Sequence, residues 1–475
     1  MKMFLAGQWV ERSEVLEVRH PYDGSLVDTV PQATEEDVQT AVAAAEKGAR
    51  QMRRLSAYDR YRILRRAAEL MAERQTMLGE LISREEGKVL REGHYEAQRA
   101  TITMEVSAEE AKRLYGEVLP MDGAPGAERK FGFTLRVPCG IVVAITPFNF
   151  PLNLVCHKVG PALAAGNAVI VKPATDTPLS ALKLVEILLE AGLPPLAVQC
   201  LTGRGPQVGH ALCADPRVRK ISFTGSAEVG EKICRVAGLK RVTMELGSNS
   251  PLIVLDDADL NKVTEATLVC GYTNAGQVCI SAQRVIASQP VYEELVERLR
   301  ESVSKLVAGD PFSPQTTVGP LIRSADAQRV EEWIQEAVGQ GARLLCGGRR
   351  RQSIVEPAVL AEVRPDMRVY RDELFGPAVC LARASSFDEA IHLANDSRYG
   401  LSAAVFTQDI DRALAFAQRV ESGNIHINWG PQWRADFMPY GGLKQSGMGK
   451  EGPRYAIEEM TELKTVVVHL SEPAE

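Results

Sequence analysis

Cys279 ends the run Asn274-Ala-Gly-Gln-Val-Cys279. Glycine and small residues ahead of a cysteine, with a strand-like segment after it, place the sulfur in an exposed turn, where a thiolate could attack a carbonyl carbon. Glu245 closes the apolar run Val242-Thr-Met-Glu, two residues before Gly247. A carboxylate at the end of such a strand faces the rim where α/β proteins bind ligands, and it could serve as a general base. Asn149 lies in Thr146-Pro-Phe-Asn-Phe-Pro151, a loop stiffened by two prolines, where its amide could donate to a developing oxyanion. Two further segments could hold a phosphorylated cofactor. Val171-Lys172-Pro173 brings an ammonium to a sheet edge, and Phe223-Thr-Gly-Ser-Ala-Glu-Val-Gly230 reads as strand, glycine turn and helix start, with free N–H groups suited to a pyrophosphate. Each has a plain alternative: a buried inert thiol, a solvated loop acid, a turn asparagine, and a glycine turn that matches neither G-x-G-x-x-G nor a Walker loop.

These residues need elements to position them. Short apolar runs at Gly140–Ile145, Ala168–Val171, Ala197–Leu201, Lys220–Phe223 and Val242–Leu246 read as buried strands. A helix lies between the second and third, with Thr177 as its predicted cap, Pro178 at its first position and Gly192 after its end. Strands alternating with helices specify a parallel, doubly wound sheet. The second half has the same texture, with helices expected near 258–272, 291–308, 324–340, 387–396 and 409–421, and strands at 284–288, 403–407 and 424–428. The first hundred residues read as helical after a short N-terminal segment, with Thr34 and Ser56 as caps. Val118–Val137 reads as a protruding hairpin, and the apolar run Lys464–Leu470 as a last strand that pairs with a subunit or with that hairpin.

The 475 residues carry 55 Lys plus Arg against 61 Asp plus Glu, a net charge of −6. That balance argues against a dedicated nucleic-acid binder or a polybasic membrane protein. No apolar run reaches the roughly 18 residues of a spanning helix, and the N-terminus lacks a signal-peptide layout. Nine scattered cysteines without a C-x-x-C pair indicate a reduced, cytoplasmic protein, and seven histidines without a ligand-spaced cluster leave no metal site.

Taken in order, the chemical segments resemble the aldehyde dehydrogenase superfamily over essentially the full length. The resemblance is carried by Thr146-Pro-Phe-Asn-Phe-Pro151, Gly166-Asn167 with Lys172-Pro173, Phe223-Thr-Gly-Ser226 with Val229-Gly230, Glu245-Leu-Gly247, Gly276-Gln-Val-Cys279, Glu373-Leu-Phe-Gly-Pro377, Asn395-Asp396 with Tyr399-Gly-Leu401, and Pro439-Tyr-Gly-Gly-Leu-Lys-Gln-Ser-Gly447. The spacing of Glu245 and Cys279 is similar to the family's. The resemblance implies an α/β fold: a Rossmann-like cofactor domain (1–116 and 138–246), a second α/β catalytic domain (247–450), and a small β oligomerisation element (117–137 and 451–475) that makes a homodimer or homotetramer.

It also implies roles. Cys279 would be the nucleophile, forming a thiohemiacetal and then a thioester. Asn149 would complete the oxyanion hole, and Glu245 would activate the deacylating water. NAD or NADP would be held by Thr146, Pro147, Phe148, Lys172, Thr175, Gly205, Gly209, Phe223, Gly225, Ser226, Val229, Leu246, Gly247, Glu373 and Phe375. Many NAD-preferring members carry glutamate where this chain has Thr175, so NADP is expected to be at least accepted. Phe150, His157, Val278, Ile280, Arg434, Phe437 and Arg99 are the expected substrate-pocket residues, suited to a small hydroxylated or anionic aldehyde of the kind used by lactaldehyde, glyceraldehyde-phosphate or phosphonoacetaldehyde dehydrogenases. A broad-specificity apolar aldehyde dehydrogenase, a coenzyme A-acylating enzyme, a non-catalytic descendant and a cysteine hydrolase are the other readings. Glu245 argues against the acylating branch, and no motif puts a histidine near Cys279, as a hydrolase would need.

Overall fold

The computed structural model describes residues 1–471. Five parallel strands form the centre of the first sheet, in the order Val198–Cys200, Ala168–Lys172, Ile141–Ile145, Val218–Thr224 and Arg241–Glu245. Alternation along each strand divides the core: Val142 and Ala144 face one helical layer, Ile141 and Val143 the other. The first layer contains helices Ala57–Glu73, Leu90–Ala111, Asn153–Ala164 and Leu179–Glu190; the second contains His210–Ala214 and Ala227–Ala237. Each fully buried Val or Leu contributes about 1.5–3 kcal/mol, so both layers are held chiefly by apolar burial. From Ile141–Ile145 the chain winds outward on one side, then crosses to Val218–Thr224 on the other. That reversal opens a crevice at the strands' carboxyl ends, and the loop carrying Asn149 starts there.

The second sheet has six parallel strands, in the order Ala358–Ala361, Ala378–Ala384, Arg284–Ser288, Pro251–Val254, Ser402–Phe406 and Asn424–Ile427, with Arg343–Cys346 antiparallel at one edge. The expected helices are present as Leu260–Tyr272, Tyr292–Val303, Ser324–Gly339, Phe387–Asn395 and Ile410–Arg419. A three-stranded sheet joins Val118–Leu119, Lys130–Pro138 and Thr461–His469, so the last strand pairs along nine residues with the hairpin of its own chain.

Thr34 and Ser56 both form capping boxes, with Asp37 and Asp59 as the reciprocating acids. Thr177 does not cap its helix. Its hydroxyl instead faces the Phe148 carbonyl, and the carboxylate of Glu85 takes the free N–H groups of Leu179 and Ser180 at 2.7 and 2.9 Å. The N-terminal segment also holds more strand than expected: Met3–Leu5 and Gln8–Val10 extend the first sheet, and Val15–Arg19 pairs with Leu26–Pro31.

Candidate active site

Cys279 follows a turn in which Asn274, Ala275 and Gly276 all have left-handed backbone, with φ of 51°, 53° and 71°. Left-handed geometry at a non-glycine residue costs on the order of 1–2 kcal/mol, so neighbours must hold it. They do: Asn274 donates its backbone N–H to Glu92 at 3.0 Å, and its amide to Glu86 at 2.9 Å and the Asn149 carbonyl at 3.2 Å. Gly276 has no substitute, because a Cβ there would lie 2.1 Å from the Gly376 carbonyl oxygen.

The turn leaves Cys279 half-buried on the wall of a cavity of about 630 Å³. Val278 and Ile280 flank it on the same wall, together with Phe150. Asn149 is buried, and its Nδ2 donates to the Gln277 carbonyl at 2.8 Å, two residues before the cysteine. An amide nitrogen carries two hydrogens, so one remains for a ligand oxygen. The Asn149 loop is pinned at both ends by one buried ion pair. Lys88 donates to the Asn149 carbonyl at 2.8 Å and to Glu96 at 2.6 Å, while Glu96 accepts from the Leu152 and Asn153 N–H groups at 2.9 and 3.1 Å.

Glu245 is 2 % exposed, and among the described residues neither carboxyl oxygen has a hydrogen-bond partner. Burial, reinforced by nearby Glu451, raises its pKa well above the usual carboxyl value. Burial likewise pushes the Cys279 thiol up to about 12, with Glu373 and Glu245 adding to the rise and Tyr440 and Arg434 opposing it. Burial thus favours the protonated form of both groups.

The remaining pocket residues divide. Arg434 and Arg99 line the cavity. Arg434 is held by Glu451 at 3.1 Å and by His157 Nδ1 at 3.3 Å, yet its buried Nε has no partner. Arg99 is bound by both oxygens of Asp436, at 2.8 and 3.2 Å. His157 does not reach the cavity wall. It lies inside the all-buried helix Asn153–Ala164, bonded to Asp436 at 3.0 Å, and desolvation together with Arg434 keeps its ring neutral. Phe437 also lies off the wall, 65 % exposed on its loop. Both are positions where residue type suggested a pocket and the backbone directed the side chain elsewhere. Lys158, Glu451 and Tyr440 went unassigned from the sequence, although Tyr440 stands inside the quoted Pro439-Tyr-Gly-Gly motif.

Most of the expected cofactor residues follow the carboxyl ends of the first sheet's strands. The Lys172 ammonium is buried, bonded among the described residues only to the Pro173 carbonyl at 2.8 Å, and burial lowers it to about 8. Thr175 donates to the Gly203 carbonyl at 3.2 Å, beside the single π-helical turn Gly205–Gly209. Ser226 caps the helix Ala227–Ala237, and Val229 in its first turn is exposed. Gly225 donates to the Glu245 carbonyl at 3.0 Å, and a Cβ on it would strike the Phe223 ring. Glu373 accepts the Ser248 N–H at 2.9 Å, and a Cβ on Gly247 would lie 2.3 Å from its other oxygen. Phe375 meets Phe148 edge-on, ring centres 6.0 Å apart, next to half-buried Pro147. Leu246 packs on Gly230, and the buried hydroxyls of Thr146 and Thr224 have no partner. A buried ammonium, a helix start, orphaned hydroxyls and a carboxylate beside obligatory glycine fit a pyridine dinucleotide.

The chain is similar to known proteins over nearly its whole length. Residues 9–466 match the aldehyde dehydrogenase family. The 3-sulfolactaldehyde dehydrogenase of Priestia aryabhattai is 47% identical over 468 residues, covering 98% of each chain. The lactaldehyde dehydrogenase of Methanococcus aeolicus is 40% identical over 98% of this chain and 100% of its own. Among solved structures, the NADP-dependent glyceraldehyde-3-phosphate dehydrogenase of Bacillus halodurans C-125, complexed with NADP, superposes with a TM-score of 0.97 at 36% identity, covering 99% of both chains. The chain belongs to the aldehyde dehydrogenase family and is an NAD(P)-dependent oxidoreductase of α/β fold.

Proposed function

We propose that the protein oxidises a small aldehyde bearing a hydroxyl or anionic group to its carboxylic acid, with Cys279 as nucleophile, Asn149 as oxyanion donor and Glu245 as the base for deacylation. The observation that carries this reading is the half-buried Cys279 on the same cavity wall as Arg434, whose Nε is buried and unpartnered. The charged residues of that wall are Lys88, Arg91, Arg99 and Arg434 against Glu92 and Glu96, a cationic excess. Burial opposes charge on Glu451 and Asp436, but Lys158 and Arg434 outweigh it for the first, and His157 and Arg99 for the second, so both stay ionised. Burial favours the uncharged forms of His157 and Glu245. The named substrates of the two relatives above, sulfolactaldehyde and lactaldehyde, are of this chemical kind.

The Cys279 thiol passes its proton to solvent as the sulfur adds to the aldehyde carbon. The charge that develops on the carbonyl oxygen is met by the free Asn149 amide hydrogen and the Cys279 backbone N–H. The dinucleotide, when bound by Lys172, Ser226 and Glu373, supplies the acceptor for the hydride that this tetrahedral centre must lose. What remains on Cys279 is a thioester. Glu245, once ionised, takes a proton from water, the hydroxide equivalent adds to the acyl carbon, and the carbon–sulfur bond breaks to release the acid.

Arg434→Ala and Arg99→Ala are each expected to raise KM for an anionic aldehyde about tenfold or more, the scale of one lost charge-assisted hydrogen bond. The effect on a neutral aldehyde of similar size should be much smaller, and the neutral substrate also reports any general damage from leaving Glu451 or Asp436 without its cation. Equal losses on both substrates overturn the anionic preference.

Thr175 presents a hydroxyl where a carboxylate would repel a 2′-phosphate. NADP should therefore be used with kcat/KM within a hundredfold of NAD, and Thr175→Glu should lower the NADP value at least tenfold while sparing NAD. Steady-state kinetics with both dinucleotides decide it.

The three-stranded sheet is assigned as the oligomerisation element of a homodimer or homotetramer. It is supported by the exposed apolar residues Leu135, Leu463 and Val467 on paired strands. On this reading 1–116 with 138–246 bind the cofactor and 247–450 carry the nucleophile; positions 472–475 of the element lie outside the described residues. All nine cysteines are free, which suits a reducing cytoplasm.

A further inference from the structure

Tyr440 stands 3.2 Å by its hydroxyl from the Cys279 sulfur and is 3 % exposed. Among the described residues, that sulfur is the only hydrogen-bond partner of the phenol. On the ring's face sits the guanidinium of Arg434, its central carbon 3.9 Å from the ring centre. Arg434 is itself fixed by Glu451 and His157, so the cation is held over the ring rather than free to leave it.

We infer that the Tyr440 hydroxyl is a catalytic hydrogen-bond donor to the Cys279 sulfur, made a stronger donor by the Arg434 cation stacked on its ring. The inference rests on the reading of Cys279 as nucleophile.

A neutral thiol can donate to the phenol or accept from it. A thiolate can only accept, so the phenol must donate once the proton has left. A hydrogen bond to an ionised acceptor is roughly twice as strong as one between neutral groups. The contact therefore strengthens at two moments: when the sulfur attacks, and when it is expelled from the collapsing tetrahedral centre of deacylation. In the intervening thioester the sulfur carries no charge and the contact is weak. Binding that grows only where charge develops accelerates a reaction, whereas binding that is uniform along the path does not.

The phenol keeps its own proton throughout. Burial, Cys279 and Glu245 raise its pKa well above the ordinary tyrosine value, and Arg434 only partly opposes them. Arg434 is thus placed to polarise the O–H bond without ionising it. The donor also lowers the intrinsic nucleophilicity of the sulfur, because reactivity falls with thiol basicity. The Brønsted slope for that loss is only about 0.4–0.5, so the gain in thiolate fraction wins at neutral pH.

The test is the pH profile of Cys279 alkylation by iodoacetamide in the cofactor-free enzyme, followed by mass spectrometry of the Cys279 peptide. The wild-type rate should climb about tenfold per pH unit between pH 6.5 and 9, because the thiol is mostly protonated over that range. In Tyr440→Phe the titratable and charged groups facing the sulfur — Glu245, Glu373 and Arg434 — all remain. The rate at pH 7.5 should fall about ten- to a hundredfold, the scale of a hydrogen bond to a charged group, and kcat/KM should fall with it. Should the Phe variant misfold, 3-fluorotyrosine installed at 440 keeps the shape and donates more strongly, so its profile should move towards acid. Profiles that superimpose on wild type overturn the inference. Cys279→Ala separates the two levels: if it still oxidises aldehyde the nucleophile assignment fails, whereas an inactive Cys279→Ala beside an unaltered Tyr440→Phe removes only the role of the phenol.

Discussion

Cys279→Ala is expected to lower aldehyde oxidation by about 10⁴-fold or more while dinucleotide affinity changes by less than about threefold. Losing a nucleophile removes the covalent route altogether, and what survives is whatever rate positioning and the oxyanion donors can support. The substitution is nearly silent for the fold, because the thiol lies on a cavity wall and its one hydrogen-bond partner is Tyr440. Reduced-dinucleotide absorbance in single-turnover mixing, with binding titrated separately by fluorescence, measures both quantities. Retained turnover would mean that hydride leaves from a centre not bonded to this sulfur.

Glu245→Gln should separate the two halves of the reaction. Acylation needs no water, so mixing enzyme, aldehyde and dinucleotide should release close to one equivalent of reduced cofactor per site in a burst. Steady turnover should then fall about 10²–10⁴-fold, the usual contribution of a positioned base. Glutamine is a fair test here because both oxygens of Glu245 are without partners, so the swap strands no neighbour. The pH dependence follows from the same burial. A carboxyl raised well above its usual value is protonated and inactive as a base at low pH, and gains its function as pH rises through the shifted value. Wild-type deacylation should therefore speed up from acid to neutral pH, and that limb should be absent in Glu245→Gln. A variant that turns over with a wild-type pH profile would relocate the base.

Where the sequence was legible and where it was not follows from the range of the forces involved. The capping boxes at Thr34 and Ser56 are local, complete within four residues, and read correctly. Glu85 capping Leu179 across 94 positions is not local, and Thr177 was the nearer but wrong choice. The inner strands of the first sheet are continuous apolar runs and were visible. Val15–Arg19 and Leu26–Pro31 are half-exposed ribbons, and Pro251–Val254 is only four residues long, so none stood out. At the candidate site, Cys279, Glu245 and Asn149 stood out in the sequence because each sits just beyond or at the end of an element whose pattern is strong. His157 was not, because every residue of its helix is buried and periodicity cannot say which side faces a ligand. Lys88 and Glu96 were missed for a similar reason. They are charges eight positions apart with no pattern of their own, and they acquire meaning only when a loop from positions 149–153 is folded between them.

That last pair has a kinetic corollary. Because one lysine and one glutamate grip the segment at both ends, and Asn274 ties the same carbonyl to the cysteine turn, the two halves of the reaction centre behave as a single rigid casting. Ordering them costs nothing when an aldehyde arrives, since that entropy was surrendered once, during folding. A catalyst built this way should show little lag on mixing with its reactants, and its losses on warming should come as one cooperative event rather than as gradual softening of the chemistry.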